Sequence, residues 1–366
     1  MLIADRAPDI RPKNASVAQP QITIEAHFSK ESITMAETTK GSFNQAVALR
    51  EVDGVEIISL VDNSVDFLST IKREEVKNVR EWVKEQKGEE WMKEHFRLPI
   101  AEHGFSMFIH VFRNGKSAYV LFDTGGSSEG VVTNAEGMGL NLREIECIVL
   151  SHGHYDHFGG LLSTLRAVNR DNLSIIVHED MFKIRGVANP DRSIRKYPEF
   201  PTETQISPAK YVRTKQPRLI ADNTILVTGE IPRKTDFEKG FLQHRVFESG
   251  KWQPDPWIWD DRAIVINVRQ KGLLVVSGCA HAGMINTVLY AQQITGGTNV
   301  HAIIGGFHLA GKECEPRISQ TVEQMKLLNP KLIAPSHCTG WRGIHAIAEA
   351  LPYAFVWNSV GNLYRF

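Results

Sequence analysis

The sequence predicts an α/β protein, a layered sandwich of two β-rich halves with helices outside, and three observations carry that expectation. Short apolar runs bounded by turn residues, VEIISLV, CIVL, AIVINV and LLVVS among them, have the length and β-branched content of buried strands. They alternate with stretches of helical spacing, most regularly from Ala263 onward. The chain has 366 residues, 42% apolar and 23% charged, enough for one large core or two modest ones and ordinary for a globular fold.

Residues 1–45 are mixed and polar and read as an arm that packs on the body or on a second subunit, so a homodimer through this arm is an expectation. Residues 46–366 read as a single domain. Val55 to Val61 is the first strand, with Asp62 and Asn63 after it as turn or site residues. Segment 72–98 is dense in charge and places Val76, Val79 and Val83 at helical spacing, which fits inserted surface helices. Met107 to Phe112 and Ala118 to Phe122 form a hairpin turned by Asn114-Gly115, and the second strand runs into Asp123-Thr124-Gly125-Gly126. Cys147 to Leu150 is a strand feeding a histidine-rich loop and then a helix to Val168. Leu173 to Val177 and Ile225 to Thr228 are further strands, whereas segments 182–219 and 237–260 read as irregular lids over a pocket. Strands follow at Ala263 to Val268, Leu273 to Ser277, Ala302 to Ile304 and Lys331 to Ala334, with helices between and beyond them. Ala354 to Trp357 reads as the last strand, with Asn362 to Phe366 pairing beside it.

Charge and cysteine usage narrow the function. With 42 basic and 42 acidic residues the net charge is zero, which lends no support to a nucleic-acid or acidic-lipid partner. No run of about 20 apolar residues suggests a membrane span. The four cysteines are widely spaced and fit neither a disulfide framework nor a zinc knuckle. A reduced, cytoplasmic protein acting on a small molecule is expected. Cys147 reads as core, and Cys338 as a small buried residue.

The segment SHGHYDHFGG concentrates the chemistry. His152, His154, Asp156 and His157 are costly to bury unpaired, and their collection at the end of an apolar strand points to cations. In an extended stretch His152 and His154 point the same way and can bind one ion, while Asp156 and His157 serve a second after the chain turns. Further ligands should lie at other strand ends, where His281 in SGCAHAG, His337 in APSHCTG and His308 in IIGGFHLAG are found, His308 as a ligand or a catalytic group.

The motifs LFDTGG, VLSHGHYDHFGG, VTGEIPR, DDRAIVI, VVSGCAHAGMIN, IIGGFH and IAPSHCTG make the chain resemble the metallo-β-lactamase superfamily, and within it the branch containing the archaeal dihydropterin-type synthase of methanopterin biosynthesis. The resemblance implies a four-layer αββα sandwich with a dinuclear site at the edge between two sheets. It carries His152, His154, Asp156 and His157 onto the family's first ligand motif and His337 onto its last ligand histidine. Cys279 stands where an aspartate usually bridges two ions, and the usual G-H-T segment is missing. Glu230, Asp261, His281 and Cys279 therefore compete for the vacant ligand roles, and a true β-lactamase is disfavoured.

Two divalent ions, zinc first with manganese or iron as alternatives, would activate a water, and Asp156 is suited to orient it or take its proton. Asp123 either accepts from a ligand histidine or caps the Thr124 to Gly126 turn. Arg185, Arg192, Arg233 and His244 are available to grip an anion, Trp252, Trp257 and Trp259 to stack on a planar ring, and His103 to line the same mouth. The leading expectation is a metal-dependent hydrolase of a phosphorylated or ring-bearing metabolite. The alternatives are a pterin- or sugar-phosphate-related synthase, an iron-dependent oxidoreductase and a non-catalytic metal-binding protein.

Overall fold

The computed structural model describes residues 46–366, so the expected N-terminal arm lies outside the described residues. Two large mixed sheets face each other. The first has eight strands in the order Val76–Lys77, Leu363–Arg365, Gly54–Val61, Ser106–Arg113, Lys116–Phe122, Ile145–Val149, Ser174–Val177 and Lys210–Arg213. The second has six, in the order Arg218–Ile220, Ile225–Val227, Ala263–Val268, Gly272–Ser277, Val300–Gly306 and Leu332–Ser336.

Period-two alternation in these strands builds the layers. Ile57, Ile109, Val120 and Val149 point inward from the first sheet to meet Ile264, Ile266, Leu274, Val276 and Ile304 of the second in one buried cluster. Their sequence neighbours Ile58, Phe108, Leu121 and Ile148 point outward under the helices Val79–Lys87, Gly130–Met138 and Leu161–Val168. Val265, Val275, Ile303 and Ile333 do the same under Met284–Thr295, Ile318–Leu328 and Gly340–Ala350. Burial on both faces explains why these strands read as continuous apolar runs, and the result is the αββα sandwich expected. The inserted charged segment docks through Trp82, which is fully buried and donates its indole N–H to the Gly361 carbonyl at 2.7 Å. No helix among the described residues is long and apolar enough to cross a membrane.

Two expectations need correction. The segments 182–219 and 237–260 are not simply irregular: Ile184–Ala188, Ile194–Lys196, His244–Glu248 and Lys251–Pro254 form a third, four-stranded antiparallel sheet. Its central pairing joins Ile184–Ala188 to His244–Glu248, strands too distant in sequence and too polar for a local pattern to reveal. Ala354 to Trp357 makes one isolated bridge, Phe355 to Ile333, and the terminal strand pairs instead with Gly54–Val61 in the other sheet. Asn358 turns the chain across by donating to the Ser59 hydroxyl at 3.0 Å and the Asp62 carboxylate at 2.5 Å.

Four neighbouring strands of the first sheet and three of the second run parallel, so their carboxyl ends gather at one edge. Gly305 permits that convergence: its φ is +120°, and a Cβ there would stand 1.9 Å from the Ser277 carbonyl oxygen. Gly305→Ala should lower the free energy of unfolding by about 3 kcal/mol, combining backbone strain with overpacking. Gly115→Ala, in a turn with open space around it, should cost about 1 kcal/mol. Equal losses in denaturant melts would contradict the close approach.

Candidate metal centre

The strand Ile145–Val149 is followed by Leu150 and Ser151, where a buried carboxylate takes over the chain. Asp123 Oδ1 accepts from the Ser151 backbone N–H at 2.6 Å, and Oδ2 accepts from the Ser151 hydroxyl at 2.7 Å and from His157 Nδ1 at 2.7 Å. The chain then bends at His152 and Gly153 to an extended His154 and enters the short helix Tyr155–Phe158, which turns Asp156 and His157 back toward the same place. From the second sheet Gly278 packs against this corner so closely that a Cβ would meet the Ser151 hydroxyl at 2.2 Å. Ala280, His308, His337 and Asp123 all have positive φ, between 43° and 62°, a concentration of backbone strain typical of functional sites.

The hydrogen-bond network sets the histidine tautomers. His152 donates from Nδ1 to the Ser151 hydroxyl at 2.9 Å, which leaves Nε2 with a free lone pair. His157 donates from Nδ1 to Asp123, which likewise frees its Nε2. His244 donates from Nδ1 to the Asp255 carbonyl at 2.8 Å and accepts at Nε2 from His154 Nε2 at 3.0 Å, so His154 turns a bare Nδ1 inward. His154 Nδ1 lies 3.0 Å from His152 Nε2, which lies 3.1 Å from His281 Nε2. Lone pairs facing one another at this spacing repel, whereas ligands about 2.0–2.1 Å from one tetrahedral ion stand only slightly farther apart. Burial and neighbouring histidines hold His152 and His281 well below the usual imidazole range, and burial and His244 do so for His154; all three are in the neutral form that binds a cation.

A second donor group adjoins the first. Asp156, His157, Cys279 and His337 place ligand atoms within 4.8 Å of one another, with His337 Nε2 2.9 Å from Asp156 Oδ2 and His157 Nε2 3.1 Å from Cys279 Sγ. Burial opposes ionisation of Asp156, but His157 and His337 outweigh it and hold the carboxyl far below the usual range. His337 is braced by Asp62, which accepts from its backbone N–H at 2.8 Å, and by Asn63, which donates to its carbonyl at 3.1 Å. Cys279 also belongs with His152 and His281, so its sulfur lies between the two groups. The donors, five imidazoles with one thiol and one carboxylate, therefore fit one or more divalent ions.

Other expected residues lie elsewhere. Glu230 accepts from His178 at 3.0 Å, and Asp261 accepts from the Ala282 N–H at 2.8 Å, bracing the Cys279 loop from behind; neither is in a donor group. Arg185 is not available to a substrate: it is buried and paired through both Nη atoms with Asp260 at 2.7 and 2.6 Å. Asp260 in turn accepts from Gly153 N–H at 2.8 Å, between His152 and His154. Arg192 lines a different cleft, with Ala188 and Lys312. Arg233 donates to the Trp257 and Ile258 carbonyls and stacks on Trp259 at 4.8 Å, away from the donors. His244 sits behind His154, and Trp257 and Trp259 lie on the surface, 37% and 39% exposed.

His103 does reach the mouth, 3.5 Å from Asp156 Oδ2. The donors open onto a cavity of about 310 Å³ whose walls include His103, Tyr155, Arg195, Tyr197 and Phe241. Arg195, on the strand Ile194–Lys196, and the neighbouring Tyr197 escape a reading of the sequence because the third sheet that carries them leaves no local pattern; two-residue spacing is their only signal. Cys338, expected to be merely small and buried, is half-buried and faces the cavity.

An αββα sandwich whose sheets converge on buried histidines, a carboxylate and a thiol defines a metal-dependent enzyme fold. The chain belongs to the metallo-β-lactamase superfamily, whose family model matches residues 101–288. It is 31% identical over 274 residues to the 7,8-dihydropterin-6-methyl-4-(beta-D-ribofuranosyl)-aminobenzene-5'-phosphate synthase of Methanocaldococcus jannaschii, covering 73% of this chain and 90% of that one. It is also 31% identical over 270 residues to the uncharacterized protein MJ0448 of the same organism, covering 72% and 93%. Among solved structures, Tm1679, a metal-dependent hydrolase of the β-lactamase superfamily, superposes with a TM-score of 0.62 at 21% identity, covering 85% of this chain and 98% of that one.

Because Arg185 and Asp260 are both buried, Asp260→Asn should destabilise the fold by about 3–5 kcal/mol by stranding the guanidinium. Asp260→Leu with Arg185→Met should recover most of that loss in denaturant melts. A single variant as stable as the double would contradict the pairing.

Proposed function

We propose that the chain is a metal-dependent synthase-type enzyme acting on a planar, pterin-like ring and a phosphorylated partner. In this reading His152, His154 and His281 would hold one ion and Asp156, His157 and His337 a second, with the Cys279 sulfur available as a further ligand. The single observation that carries it is the likeness to the M. jannaschii synthase over 90% of that protein's length. The cavity chemistry supports it. Tyr155, Tyr197 and Phe241 offer faces for a ring, and Arg195 offers a guanidinium for a phosphate beside the donor cage.

Divalent ions, zinc above manganese for this nitrogen and sulfur set, would supply Lewis-acid polarisation of the electrophile. The chain's residues supply the rest. Tyr197 and Phe241 orient the ring, and Arg195 holds the phosphate of the partner amine. The amine nitrogen attacks a methylene carbon on the ring, a carbon–nitrogen bond forms, and the carbon–oxygen bond to an ester leaving group breaks with the electron pair leaving on oxygen. The proton released by nitrogen passes to His103, exposed at the mouth and close to the Asp156 carboxylate.

Incubating the purified chain with an ester of a hydroxymethyl-dihydropterin and a ribofuranosyl-aminobenzene phosphate should give one product containing both rings by mass spectrometry. Release of the free pterin alcohol alone would instead favour the hydrolytic reading, and no turnover of either substrate would contradict both. His152→Ala with His154→Ala should remove at least one equivalent of metal and lower turnover at least about a hundredfold.

Arg195→Ala should raise KM for the phosphorylated amine about ten- to a hundredfold with little change in kcat, and should leave KM for the dephosphorylated amine nearly unchanged. An equal effect on both amines would remove Arg195 from phosphate binding.

A further inference from the structure

Beside the two donor groups lies a third, of which the proposed function uses only Cys279. Cys279, His308 and Cys338 place their sulfur and nitrogen atoms within 4.8 Å of one another, the closeness that Asp156, His157, Cys279 and His337 also show. Three loops that follow parallel strands of the second sheet supply them. The backbone at Gly306 forms the back wall, since a Cβ there would meet the Gly278 carbonyl oxygen at 2.4 Å and Cys338 Sγ at 2.7 Å. His308 packs against His281, with ring centroids 4.1 Å apart and planes tilted by 50°, and its buried Nδ1 has no hydrogen-bond partner among the described residues. The buried thiol of Cys314 adjoins the same ring. Three of the chain's four cysteines thus gather around one histidine, while Cys147 is in the core.

We propose that Cys279, His308 and Cys338 form a third cation pocket, sulfur-rich and open to the cavity, that takes a soft or borderline divalent ion of the zinc and cadmium class. Two sulfurs and one imidazole are the ligand types such ions favour, and the cavity side leaves room for a further ligand. The pocket shares the Cys279 sulfur with the cage of the proposed function but none of that cage's histidines or its carboxylate. The two readings can therefore fail independently.

The test is a cadmium titration of the metal-free, reduced full-length chain, followed by thiolate-to-cadmium absorbance and by metal counting after gel filtration. The wild type should retain three equivalents. Cys338→Ser and His308→Ala should each retain two, with absorbance in Cys338→Ser falling to about half because one of two thiolate ligands is gone. His152→Ala with His154→Ala should keep the Cys338-dependent half of the absorbance, whatever becomes of the cage. A wild type that retains two equivalents or fewer would overturn the proposal. So would a Cys338→Ser variant with unchanged stoichiometry and absorbance, or one that loses all its cadmium, since the thiol would then be holding the cage itself. If both variants fail to fold by circular dichroism, the wild-type count decides.

Discussion

The Asp123 carboxylate is the interaction on which the remaining structure of the site depends. It is wholly buried at the end of a central strand and takes three hydrogen bonds, from the Ser151 backbone, the Ser151 hydroxyl and His157. A carboxylate in such surroundings is tolerable only when its lone pairs are occupied. Filling them fixes the start of the histidine loop, the ring of His157 and, through the Ser151 hydroxyl, the ring of His152. Because Gly278 packs onto the same corner, the carboxylate also sets how closely the second sheet approaches the first.

The remaining histidines are aimed by equally local means. A chain of hydrogen bonds from the Asp255 carbonyl through His244 orients His154, and the buried Arg185–Asp260 pair holds the intervening Gly153. Both devices reach inward from the third sheet. That sheet therefore does more than cover the cavity: it carries Arg195 on its face toward the opening and fixes the loop that presents His152 and His154. Residues that look like substrate groups by type, Arg185 and His244 among them, act here on the protein itself.

The sandwich and the first half of the site were legible in the sequence for one physical reason. Strands buried on both faces read as apolar runs, and several groups of metal-ligating type at the end of such a run are costly to bury unless a cation gathers them. His281, His308 and His337 were visible by the same logic, as strand-end histidines beside glycine or other small residues. What was not legible depended on pairing at a distance. The antiparallel match of Ile184–Ala188 with His244–Glu248 leaves no local periodicity, so Arg195 and Tyr197 could not be placed. Glu230 and Asp261 had suitable chemistry, but whether a carboxylate faces a cavity or a neighbouring backbone N–H is decided by packing. Cys338 was underrated because adjacency to a histidine in sequence says nothing about which thiol or imidazole lies across the fold.

Anomalous diffraction at the absorption edge of the metal that co-purifies with the chain tests the proposed two-ion cage most directly. One peak should lie within about 2.5 Å of His152 Nε2, His154 Nδ1 and His281 Nε2, and a second at the same range from Asp156, His157 and His337, with Cys279 Sγ adjoining both. A map without a peak at either place, from protein shown to be folded and supplied with zinc, would contradict the cage.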